Sequence, residues 1–160
     1  MTIRTQTSKL LALAAATAIL AASLSTPAGA QENKVGAQWI KYRQGAYTVL
    51  GTQIGMMGPM ASGKAPFDAK AFQVAAERAA FMATIVPDLF PDVSKSGAPT
   101  KAKAAIWENK AEFDQLKKDL GEKTAALAVA AKSGNLETIK PAFGAAAQTC
   151  KACHDKYKED

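Results

Sequence analysis

The sequence predicts an all-α fold, an antiparallel up-down-up-down four-helix bundle, on three observations. Ala and Lys are the commonest residues, with Leu, Gln and Glu adding to them, while Val and Ile are few, a helix-forming composition. No alternating apolar and polar run lasts more than a few positions, so strands are not signalled. Four segments carry apolar residues at helical spacing and are separated by short connections, and helices that are each apolar on one side bury those faces best as a bundle.

Residues 1–30 stand apart from that pattern and read as a secretory signal peptide. Arg4 and Lys9 form a basic start, Leu10 to Leu24 an apolar run shorter than the ~20 residues a membrane span needs, and Ala28-Gly29-Ala30 a small-residue cleavage site. An uncleaved membrane anchor fits less well, because the run is short and is followed by Pro27 and Gly29. Cleavage after Ala30 leaves one domain, residues 31–160, large enough for a single core. No arginine pair precedes the apolar run, so the general export route is expected, with any cofactor installed after export. Of 20 Lys plus Arg, Arg4 and Lys9 leave with the leader, so 18 remain against 14 Asp plus Glu. That excess of four is scattered among acidic residues with few aromatics between, which argues against nucleic acid as a partner, and nothing in the mature chain suggests a membrane.

The first segment runs from about Asn33 to Met57 with Ile40, Tyr47, Leu50 and Ile54 on one face, and Gly58-Pro59 is expected to stop it. The second opens after Pro66 with Asp68 as N-cap, presents Phe72, Ala76, Ala79, Ala83 and Val86, and ends before Pro87. Pro87 to Pro99 is a loop rich in Pro, Ser and Gly. A third helix is expected over Lys101 to Lys132, with Ile106, Phe113, Leu116, Leu120 and Leu127 inward and Ser133-Gly134 after it. The last begins with Asn135 as N-cap and aligns Leu136, Ile139, Phe143, Ala147, Cys150, His154 and Tyr157, with Pro141 inside its early turns.

Both cysteines and the only histidine fall within five consecutive residues, Cys150-Lys151-Ala152-Cys153-His154. This CxxCH pattern is the attachment signature of c-type haem. On a helix the two sulfurs lie within one turn, so each can form a thioether with one vinyl group of the same porphyrin, and His154 can face the iron as axial ligand. A disulfide inside one turn would close almost no loop and stabilise little. A thioredoxin-like redox pair needs a βαβ setting, and zinc needs ligands beyond the two Cys and one His that the chain contains.

With one histidine, bis-histidine ligation is excluded, and a sixth ligand would be Met, Lys, water or nothing. In an antiparallel bundle the end of the last helix lies level with the beginning of the first, near Trp39 to Tyr47. Met56 is nine residues past Tyr47, roughly 13 Å further at ~1.5 Å per residue, and Met57 and Met60 are further still. Five-coordinate iron is therefore expected, and core filling is the expected role of the methionines.

The chain also resembles the cytochrome c′ family over residues 31–160. The resemblance rests on Thr149-Cys150-Lys151-Ala152-Cys153-His154 near the end, Lys41-Tyr42-Arg43-Gln44 in the first helix, Pro66-Phe67-Asp68 before the second, and Ile106-Trp107 in the third. The resemblance implies a periplasmic protein, usually a homodimer, with one covalent haem c and five-coordinate, high-spin iron. Such a protein would bind nitric oxide and carbon monoxide while discriminating against oxygen, and electron transfer is often assigned to it as well. By matching motif, Arg43 and Gln44 would contact the haem propionates, Tyr47 would cover the distal face, and Lys158 would lie beside His154. The loop at Thr100 and Lys101 would approach the haem. The family often has arginine where this chain has Lys158, and leucine or phenylalanine where it has Tyr47.

Two function classes stay open at this point, a gas-binding haem protein and an electron carrier serving a periplasmic redox partner. The carrier reading includes a six-coordinate, low-spin Met/His cytochrome. An enzyme ranks last, since no distal His with an accompanying Arg is available to polarise a peroxide.

Overall fold

The computed structural model describes residues 28–159, so all of the leader but its last three residues lies outside the described residues. Four long helices form the bundle: α1 (Ala28–Ala61), α2 (Ala69–Ile85), α4 (Lys110–Ala131) and α5 (Leu136–Tyr157), with a single helical turn, α3 (Ala105–Glu108), before α4. Among the described residues there is no strand, only an isolated antiparallel bridge between Ala102 and Lys158. Helix α1 packs on α2, α2 on α4 and α4 on α5, while α1 and α5 meet lightly, so that side of the bundle is its loosest seam.

The expected caps form. Asp68 accepts a hydrogen bond from the Ala71 amide at 2.9 Å, and Asn135 accepts from the Glu137 amide at 2.9 Å, each meeting one of the amides that a helix start leaves unpaired. The expected stripes are buried too: Phe72, Ala76, Ala79 and Ala83 on α2 and Val86 just after it, Ile40 and Leu50 on α1, Leu120 and Leu127 on α4, Ile139 on α5. Each large side chain so buried contributes about 1.5–3 kcal/mol of transfer free energy.

The structure departs from the sequence expectations in three places. Helix α1 does not stop at Gly58-Pro59 but runs through Pro59 to Ala61. Proline in a last turn forfeits a single hydrogen bond, and Gly55, four residues earlier, is a site with open space around it. The chain turns instead at Gly63, whose φ of +75° suits glycine, while the Lys64 and Ala65 amides return to the Pro59 carbonyl. The third segment is not one helix from Lys101. Residues 101–103 pair with the end of α5, through Lys103 N–H to the Tyr157 carbonyl and Glu159 N–H to the Lys101 carbonyl, which takes up backbone groups that a helix would need. A break follows at Asn109 (φ −115°, ψ 46°), whose side-chain amide donates to the Ala105 carbonyl. The Pro87 to Pro99 loop, finally, is built of two 3-10 turns, Val86–Leu89 and Asp92–Lys95.

Residues 93–97 of that loop lie against the start of α1. A methyl group added at Gly36 would collide with the Ser96 and Val93 carbonyls, and one at Gly97 (φ +119°) with the Asn33 carbonyl and the Ala37 amide. These two glycines let backbone lie on backbone and hold the loop above Arg43.

Candidate functional site

The end of α5 presents the motif in graded exposure. Ile139, Ala146 and Tyr157 form its buried line, the Cys150 and Cys153 thiols are half-buried beside it, and His154 lies at the exposed edge. His154 therefore flanks the stripe expected of it: contact with α4 draws Tyr157 inward and leaves the imidazole at the rim. Lys158, at the C-cap, is its neighbour. Burial first and the Lys158 charge second hold the imidazole below its ordinary pKa, and Asp155 opposes them, so at neutral pH its nitrogen lone pair is available. Burial raises both thiols, with Cys153 reaching about 11 and helped by Cys150.

Helix α1 supplies the facing wall. Tyr47 is partly buried against the main core, and its ring meets Phe90 edge-on at 6.2 Å between centroids. Burial, then the Cys153 thiol, raises its phenol far above the ordinary value; Cys150 adds to this and Arg43 opposes it. Tyr47 thus stands level with both cysteines, as the antiparallel register requires. The methionines do not: Gly58, between Met57 and Met60, faces Phe143 on α5, two turns before Cys150. Met57 and Met60 are buried in the core and Met56 is exposed.

Arg43, one turn before Tyr47, is only 4 % exposed. Its Nη1 donates to Ser94 Oγ (3.0 Å) and to the Leu89 carbonyl (3.5 Å), and its Nη2 to Thr100 Oγ1 (3.1 Å). The guanidinium lies 4.8 Å from the Phe90 ring centroid and 5.8 Å from that of Trp107. Gln44 is exposed and donates from Nε2 to the Pro99 carbonyl at 3.0 Å, tying the same loop to α1. Lys101 is exposed, and its carbonyl accepts from Glu159 N–H. The fold thus brings Arg43, Gln44, Tyr47, Thr100, Lys101, Cys150, Cys153, His154 and Lys158 to one end of the bundle. Sequence reasoning missed Phe90 and Ser94, and gave Trp107 no place at the site. The available signal was an aromatic beside Pro91 in a loop between two helices.

The donor set suits a covalently held porphyrin. Among the described residues no three His, Cys, Asp or Glu side chains converge as a metal site would require, whereas a porphyrin iron asks the protein for a single axial nitrogen. Two thiols one turn apart in a half-apolar setting, a neutral imidazole next to them and a buried cation across the seam fit that group.

The comparisons with known proteins agree. The sequence profile of the family described as Cytochrome C′ matches residues 38–158. The cytochrome c′ of Rubrivivax gelatinosus is 40 % identical over 123 residues, covering 75 % of this chain and 93 % of the relative. The solved cytochrome c prime from Shewanella frigidimarina superposes with a TM-score of 0.74 at 42 % identity, over 78 % of this chain and 97 % of that one. A ferrous variant of the Alcaligenes xylosoxidans protein with bound nitric oxide gives 0.71 at 30 % identity, over 78 % and 96 %. Motif, fold and kinship lead to one conclusion: the chain belongs to the cytochrome c′ family and carries one covalently bound haem c.

Proposed function

We propose that this cytochrome is a periplasmic gas-binding protein whose haem iron is five-coordinate and high-spin, held by His154 and by thioethers to Cys150 and Cys153. Nitric oxide and carbon monoxide are its ligands, and the iron can also carry electrons to a redox partner. It is not an enzyme. Residues 1–30 are the leader removed on export. Arg43 and Gln44 serve the haem propionates, Tyr47 covers the distal face, and Thr100, Lys101 and Lys158 border the group.

The observation that carries this reading is Tyr47. Its ring stands level with both thiols, while Met57 and Met60 are buried level with Phe143, so an aromatic rather than a sulfur ligand faces the site. The Alcaligenes xylosoxidans relative supports the choice of ligands, since its variants were solved with nitric oxide and with carbon monoxide bound.

The protein acts as a homodimer through its α1 and α2 helices. Exposed Tyr42, Val49 and Met56 follow one another at seven-residue spacing along α1, and Val74 and Phe81 do so on α2, giving two apolar rows on adjoining helices.

Rapid mixing with carbon monoxide tests the distal assignment. A ring that must move aside makes the binding-competent state a minority, so Tyr47→Ala should bind faster and more tightly than the parent. Equal association rates would reduce Tyr47 to core packing.

A further inference from the structure

The Arg43 site holds more donors than the fold satisfies. A guanidinium carries five N–H groups in a rigid fork. Three are taken, all by neutral oxygens, those of Leu89, Ser94 and Thr100. Nε–H and one Nη2–H remain as the free part of the fork, and charged N–H donors of this kind bind a carboxylate strongly. Among the described residues no Asp or Glu pairs with Arg43, although it is nearly fully buried. A buried cation without an anion is unfavourable, so the site as built is one half of a pair.

The indole of Trp107 lies beside it. Nε1 is buried and has no hydrogen-bond partner, and an indole N–H can only donate, so Arg43 cannot satisfy it. The Trp107 ring packs on Phe90, with centroids 6.3 Å apart, as the Arg43 guanidinium does, and it belongs to the same apolar cluster as Cys153. Among the described residues, the other two unpartnered buried groups lie elsewhere. The Tyr157 hydroxyl neighbours Glu112 and Lys156 on the α4 side, and the Gln53 amide oxygen belongs to the α1/α2 groove.

We propose that the Trp107 indole N–H and the free donors of Arg43 receive the same carboxylate, a propionate of the covalently bound haem, so that Trp107 is a haem-anchoring residue rather than packing. Ser94 and Thr100 act through Arg43, as positioning residues that aim its free donors. The inference rests on the reading that Arg43 serves a propionate, and it adds a second donor from the loop side.

The test uses the holoprotein and two variants, Trp107→Phe, which keeps the aromatic contact with Phe90 and removes only the N–H, and Arg43→Met. The reduction potential is measured against pH to find the ionisation linked to the haem. Loss of one charge-assisted hydrogen bond should make that acid about tenfold weaker in Trp107→Phe. Ultraviolet resonance Raman difference spectra, parent minus Trp107→Phe, isolate the Trp107 N–H from that of Trp39. They should show a hydrogen-bonded indole that becomes free as the acid is protonated. An unshifted ionisation in Trp107→Phe with a shifted one in Arg43→Met would overturn the role of Trp107 alone. No shift in either variant would overturn the propionate reading of Arg43 as well. A free indole at every pH in the parent would overturn the proposal even if Arg43→Met fails to fold.

Discussion

The two ends of the bundle bury different chemistry. At the end where α1 finishes and α5 begins, Phe72, Leu127, Ile139 and the α2 alanines are buried side by side, and the one buried hydroxyl there, Thr124, bonds the Leu120 carbonyl at 2.7 Å. At the end where α5 finishes, the interior holds Arg43, Ser94, the unpartnered Trp107 and Tyr157, and two half-buried thiols. The first end is satisfied by its own chain apart from the Gln53 amide oxygen in the α1/α2 groove. The second presents more donors than acceptors and is completed by a group the chain does not encode. Both ends hold fully buried side chains, Tyr157, Phe113 and Ile40 among them at the site end, so what sets that end apart is its unpaired donors.

The largest effect that tests this contrast is Phe72→Ala. It removes a fully buried ring that packs on Phe67 and Phe143, and it should cost about 3–5 kcal/mol in denaturant unfolding while leaving the haem spectrum unchanged. A spectral change would mean that the two ends are not independent.

Gly36→Ala attacks the other end through its loop. A methyl there meets the Ser96 and Val93 carbonyls, so the variant should lose about 1–3 kcal/mol and, by moving the segment that seats Ser94 and Thr100 on Arg43, should shift the reduction potential. A stability loss with no change in potential would show that the loop does not govern the site.

Asp68→Ala removes the cap of α2 at the apolar end and should cost about 1 kcal/mol by thermal unfolding, with haem ligand binding unaltered.

The smallest effect concerns Asp114, whose carboxylate pairs with Lys110 at 2.8 Å and Lys117 at 2.7 Å and is held below its ordinary pKa by those hydrogen bonds. The unfolded chain takes up this proton first as pH falls, so the contribution is complete above the ordinary value of 3.8 and is lost as pH drops through the lower folded value. Asp114→Asn should therefore cost under about 1 kcal/mol at pH 7, the carboxylate being 43 % exposed, and nothing near pH 2. An equal cost at both pH values would assign the effect to packing.

The features that were legible in the sequence are local ones. Asp68 and Asn135 announce their helices because a cap acts within three residues, and Cys150, Cys153 and His154 announce the haem because one turn of helix fixes their spacing. The burial of Phe72, Ala76, Ala79, Ala83 and Val86 follows from the helical period. Other features depend on partners distant in sequence. Residues 101–103 leave the helix because the end of α5 takes their backbone bonds, Gly36 and Gly97 are needed because two stretches of backbone meet, and Phe90 matters because Arg43, Tyr47, Trp107 and Phe113 converge on it. The helix through Pro59 was misjudged for the opposite reason, since a proline stop signal is weak once the last turn has few bonds left to lose.

The most direct test of the central claim, that the site end is completed by a haem with an open face beneath Tyr47, is the absorption spectrum of the purified protein in both oxidation states. High-spin spectra in both states are expected, unchanged when Met56, Met57 and Met60 are replaced by Leu. A ferric sulfur-to-iron charge-transfer band, or sharp low-spin bands on reduction, that vanished in that triple variant would contradict the account and establish a Met/His electron carrier instead.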